Sequence, residues 1–152
     1  MIRTALVAAA LLLATSGVAV ANDTPSFIWD SDAEAHPTHG RSGSWTPPEV
    51  FWVSEREDNS IHIYGEDRSG WEYLGIRLYR HDGQRITEGT HTDQRVHVVD
   101  RGLGWFDDGA EFTVSHIAYG EDGRISEFDA AIEHHYQDRP NSTLRAKLHY
   151  HR

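Results

Sequence analysis

The stretch ISEFDAAIEHHY, Ile125–Tyr136, followed after a polar break by TLRAKLHYH, Thr143–His151, decides the fold class. Successive side chains of a β-strand point to opposite faces, so Phe128, Ala130, Ile132, His134 and Tyr136 share one face. Leu144, Ala146, Leu148 and Tyr150 answer them from the second run. The reverse faces set Glu127, Asp129, Glu133 and His135 against Arg145, Lys147, His149 and His151, complementary in charge as a hairpin requires. Neither run has the i, i+3, i+4 spacing of an amphipathic helix.

Upstream, the same period of two recurs in Val50–Val53, Ser60–Tyr64, Trp71–Arg80, Arg95–Val99 and Ala110–Tyr119, all rich in β-branched and aromatic residues. Between them lie Asp58-Asn59, Asp67-Arg68-Ser69-Gly70, His81-Asp82-Gly83 and Glu121-Asp122-Gly123, which put Gly or Asn where a tight reversal needs positive φ. Seven short strands joined by such turns predict an all-β domain over 49–152, an antiparallel β-sandwich with a small β-barrel as the alternative. Residues 22–48 hold four of the five prolines with Gly40, Gly43 and several serines, and read as a flexible lead-in with one short strand at Phe27-Ile28-Trp29.

Residues 1–21 read as a secretory signal peptide. Arg3 supplies the charge, Ala5–Ala14 the apolar stretch and Ala19-Val20-Ala21 the small-residue cleavage site. The apolar stretch falls short of the roughly 20 residues that span a bilayer, so no membrane insertion is expected after cleavage. The expected location is therefore periplasmic or extracellular. Loss of Arg3 with this segment takes 14 basic residues to 13 against 24 acidic ones, a net charge of −11 with histidine neutral. Such a chain repels phosphate backbones, which argues against nucleic acid and favours a cationic partner or plain solubility. The absence of cysteine removes thiol catalysis, disulfides and Cys-zinc sites together.

Eleven histidines remain, and neutral imidazole suits Zn²⁺ and Cu²⁺. The i, i+2 spacing on apposed strands makes Glu133, His135, His149 and His151 a candidate metal set. His36 and His39 form a second pair, placed by Pro37 and Gly40 in the expected disorder. His62, His91, His97 and His116 stand alone on separate strands or turns, where packing is the ordinary role of a histidine. No nucleophile elbow surrounds the serines, and no acid pair can be singled out among 24 carboxylates, so a hydrolase is the weakest reading. Aromatic rings are the better clue. Trp71, Tyr73 and Tyr79 lie opposite Leu74, Ile76 and Leu78, so one set must face outward, where rings stack sugars or anchor a protein.

From Leu74 to Tyr150 the chain resembles a family of bacterial exported β-domains of unknown function. The matching residues are Leu74-Gly75-Ile76-Arg77-Leu78, Asp82-Gly83 to Gly89, Gly109 with Phe112 and Val114, Asp122-Gly123, Phe128 through Tyr136 and Leu144 through Tyr150. Relatives carry a Phe-Glu-Gln-His-Cys-like strand where this chain has Tyr136, and a second cysteine near Trp105. If those cysteines bridge in the relatives, the resemblance implies an aromatic contact in their place here. It implies a fold and an exported location and no activity. The expectation is thus an exported, non-enzymatic domain that binds a cell-envelope glycan or a cationic protein, with divalent-metal binding at the C-terminal hairpin as the alternative.

Overall fold

The computed structural model describes residues 24–137 and 139–152. The segment read as a signal peptide, 1–21, lies outside them. Nine strands make up the fold: β1 (Ser26–Ser31), β2 (Ser42–Trp45), β3 (Val50–Glu55), β4 (Ile61–Glu66), β5 (Tyr73–Tyr79), β6 (Gly89–Asp100), β7 (Leu103–Tyr119), β8 (Ile125–His135) and β9 (Thr143–His151). No helix occurs among the described residues. All pairs are antiparallel, in one sheet of order β2-β1-β9-β8-β7-β6-β5-β4-β3. The fold is all-β, and one sheet rolled on itself makes the small barrel, rather than two stacked sheets, the form it takes.

The roll has local causes. Register shifts interrupt the β6–β7 ladder around Gln94 and the β7–β8 ladder between Val114 and His116, and bulges of this kind bend a strand and raise its twist. At Arg101 and Gly102, φ values of 47° and 85° give the two-residue reversal whose hand matches strand twist, joining β6 to β7 directly. Closure then follows from packing across the interior. A Cβ on Gly65 of β4 would lie 2.7 Å from the Trp45 ring of β2 and 2.9 Å from Phe27 of β1, so only glycine lets those rings seat there. Phe51 of β3 meets Tyr150 of β9 with ring centroids 6.1 Å apart.

The predicted hairpin faces hold. Phe128, Ala130, Ile132 and His134 are buried and pair with Tyr150, Leu148, Ala146 and Leu144, all buried as well. Leu74, Ile76 and Leu78 are fully buried, which sends Tyr73, Arg77 and Tyr79 to the outer face.

The lead-in has the expected strand at Phe27-Ile28-Trp29, inside β1, and in the rest differs from expectation. Within 22–48, Ser26–Ser31 and Ser42–Trp45 are sheet strands, and Phe27, Trp29, Ala35 and Trp45 belong to the buried set. Proline and glycine density indicates irregular local structure, but β1 is held by its ladder to β9 at the far end of the chain, which no local window displays. The segment is further tied down by Arg41, whose guanidinium pairs with the buried Asp100 and donates to Glu72 Oε2 at 2.6 Å.

Candidate functional site

Three outer-face rows of β3 to β7 build a groove. Trp52, Tyr64, Gly75, Val99 and Gly104 sit side by side through the strand registers, and the next row is Ser54, His62, Arg77, His97 and Phe106. Tyr73, paired with Glu66, closes the opposite side. Because Gly75 has no side chain, the middle of the first row is open and a concavity of about 290 Å³ forms between the walls. A Cβ at Gly75 would lie 3.5 Å from His62 Nε2 and 3.8 Å from Tyr64, ordinary contacts, so the glycine serves no packing need there.

The walls are aromatic and ordered against one another. Trp52 stacks on Tyr64 at 5.5 Å and Tyr64 on Tyr73 at 5.8 Å, each pair 28° from parallel. Trp52 meets the His62 ring edge-on at 4.9 Å, and Phe106 stacks on His97 at 3.9 Å. Such offset and edge contacts stiffen the rings and leave their remaining surface available.

Charge in the groove comes from Arg77. Its Nη1 donates to Tyr79 Oη at 3.1 Å, and no carboxylate pairs with it among the described ion pairs. Burial, reinforced by Arg77, pushes the His62 imidazole down to about 4, and the same two causes lower His97. Both rings are therefore neutral at pH 7. His62 Nδ1 is buried with no protein partner among the described residues, and Nε2 is the nitrogen toward the Gly75 floor. Burial and the hydrogen bond to Glu66 push the Tyr64 phenol up to about 12, so it stays a donor, to Glu66 Oε2 at 3.0 Å.

Of the expected binding aromatics, Tyr73 is a groove wall. Tyr79 is the partner of Arg77 on the same face. Trp71 is 80% exposed in the turn two residues before Tyr73 and belongs to no strand. Tyr64, His62 and His97 also line the site, with Trp52 stacked behind Tyr64, and nothing in the sequence brought them together. A signal that could have pointed there is Gly75, a glycine inside an otherwise bulky alternating strand.

The candidate metal set does not assemble. Glu133 is opposite Arg145, His135 opposite Thr143, and His149 opposite Asp129, six residues along β9 from Thr143. His135 Nδ1 instead faces Asp107 Oδ2 at 3.1 Å on β7. His149 and His151 do come together, ring centroids 5.8 Å apart, at the other end of the hairpin. Their neighbours there are carboxylates: His149 Nδ1 donates to Asp129 Oδ1 at 2.6 Å, and His116 lies between Glu88 and Glu127 at 3.2 and 2.9 Å. The spacing argument placed each pair on one face correctly and missed that the pairs occupy opposite ends of the ladder. Among the described residues no three such side chains converge on a point.

Trp105 and Tyr136 are in edge-on contact at 4.7 Å, the aromatic contact that the resemblance implies for these positions. In comparisons with known proteins the chain matches no family model, no curated protein and no solved structure.

Proposed function

We propose that this chain is an exported, non-enzymatic binding domain that takes an acidic glycan in the β3–β6 groove. The observation that carries the reading is the Gly75 floor beside the stacked Tyr64 and Tyr73 rings, with the Arg77 guanidinium, free of any carboxylate ion pair among the described residues, on the same concavity. A pyranose ring presents one apolar face suited to aromatic stacking, and a carboxylate on the same or the next sugar suits a guanidinium, which binds planar anions in bidentate fashion. The neutral His62 and His97 add donors and acceptors for hydroxyls without adding charge. The chain as a whole carries a net charge of −10, which by itself favours cationic partners; it is the local Arg77 guanidinium, with no carboxylate ion-paired to it among the described residues, that favours an anionic ligand in this groove.

Calorimetric titration of the protein with a polyuronate oligosaccharide and with a neutral glucan of equal length tests this. Binding of the uronate and weak or absent binding of the glucan is expected. Gly75→Leu should abolish binding by filling the floor, and Arg77→Gln should weaken it by about 1.5 to 3 kcal/mol, the range for a charge-assisted hydrogen bond. Equal affinity of wild type and Gly75→Leu overturns the reading.

A further inference from the structure

We propose that His36 Nδ1 and His39 Nε2 bind one divalent transition-metal ion, Cu²⁺ most tightly, at the turn between β1 and β2. The two nitrogens face each other at 3.2 Å. At metal–imidazole bond lengths of about 2.05 Å, that separation subtends roughly 100° at an ion lying off the line between them, between the tetragonal and tetrahedral values. Water molecules complete the coordination, since no third side chain of the described residues joins the pair. Two imidazoles with water oxygens form a mixed nitrogen and oxygen set, which Cu²⁺ prefers, and Cu²⁺ also leads the affinity order of the first-row divalent ions.

The turn is built to hold that geometry. Ala35 and Thr38 are fully buried, His39 N–H donates to Ala35 O at 2.6 Å, and Arg41 N–H donates to Thr38 O at 3.2 Å. His36 is half-buried, edge-on to Trp105 at 5.9 Å and tilted against Tyr136 at 5.1 Å, so its ring direction is set by packing. His39 is exposed, which leaves the ion a route in from solvent. Without metal, the pair shares one N–H between the facing nitrogens. On metal binding the donor ring moves that proton, through solvent, to its other nitrogen. Both facing atoms then offer lone pairs to the ion. The carboxylate-bonded histidines of β7–β9 differ, since the partner of each is already an acidic side chain.

The test titrates the purified protein with Cu²⁺ alone and reads electron paramagnetic resonance. Nitrogen hyperfine structure from two imidazoles is expected for the first equivalent. His39→Asn, which suits the positive φ of 51° at this position, should reduce it to one nitrogen and weaken binding roughly tenfold or more. His149→Asn should leave the first equivalent unchanged. In the unsubstituted protein, substoichiometric Cu²⁺ should broaden the ring-proton signals of His36 and His39 before those of His149 and His151. A His39→Asn protein with the wild-type spectrum and affinity overturns the proposal, and so does earlier broadening at the C-terminal hairpin.

Discussion

Two outer faces of the same rolled sheet carry strand-borne histidines and use them in opposite ways. On the β3–β6 face, burial and Arg77 lower His62 and His97, and among the described residues His62 Nδ1 has no protein partner and Arg77 no carboxylate in an ion pair. On the β7–β9 face, Glu127 first and then Glu88 raise His116, while Asp129 accepts a hydrogen bond from His149 Nδ1. The first face leaves hydrogen-bonding capacity unspent, and the second satisfies most of its own. Counting histidines in a sequence cannot separate these cases, because the sign of each effect is set by the residue on the neighbouring strand. A ligand site is expected on the face whose groups are unpaired.

The largest effect that tests this division lies beneath the second face. Ile132 is 2% exposed, and Ile132→Ala should cost about 2 to 5 kcal/mol in denaturant melts. Glu133→Ala, one residue on and outward, should cost at most about 0.5 kcal/mol as an exposed position with no close ion pair. A larger loss from Glu133 would mean that the strand is inverted and the division of faces with it.

Acid comes next. His134 is fully buried, its Nε2–H donates to the Trp105 carbonyl at 3.2 Å, and its Nδ1 has no partner, so burial holds it near 4 against an ordinary 6.5. Between those values the unfolded chain binds a proton that the folded chain refuses. Stability is therefore complete above pH 6.5 and is lost as pH falls towards 4, by about 3 kcal/mol for this residue. His62 adds to the loss in the same direction. His116 acts oppositely, since its raised pKa contributes stability below 6.5 that disappears as pH rises through the folded value. Proton NMR titration should find His116 titrating above 6.5 and His62 and His97 below it; a shared midpoint would erase the contrast between the faces. His134→Leu should flatten the acid limb of the stability profile.

Two glycines give the smaller effects. Gly65→Ala forces a Cβ into Trp45 and Phe27 inside the barrel and should cost about 1 to 3 kcal/mol. Gly75→Ala meets only ordinary contacts on the groove floor and should change stability by no more than about 0.5 kcal/mol, while reducing affinity for the acidic glycan. Equal costs at the two sites, measured by thermal melts, would mean that the groove floor is packed against something and is not open.

Much of this architecture was legible before any coordinates. Alternation in Ile125–Tyr136 and Thr143–His151 determined the buried face of the hairpin, because a slip of one residue would have placed Glu133 in the core and Ile132 in water. The Asp-Gly turns marked where neighbouring strands reverse. These signals are local, and an antiparallel meander is made of local pairs. Three features waited for the tertiary structure. Of the strands within 22–48 the one at Phe27-Ile28-Trp29 was expected, but β2 and the anchoring of the whole segment follow from β9 and the interior seating Phe27, Trp29 and Trp45, an attraction that crosses most of the chain. The groove exists because registers bring Tyr64, Gly75 and Val99 into one row, a coincidence of three strands that no single period contains. The separation of His135 from His149 followed from distance along the ladder, since side-chain parity assigns a face and only the full pairing assigns a place on it.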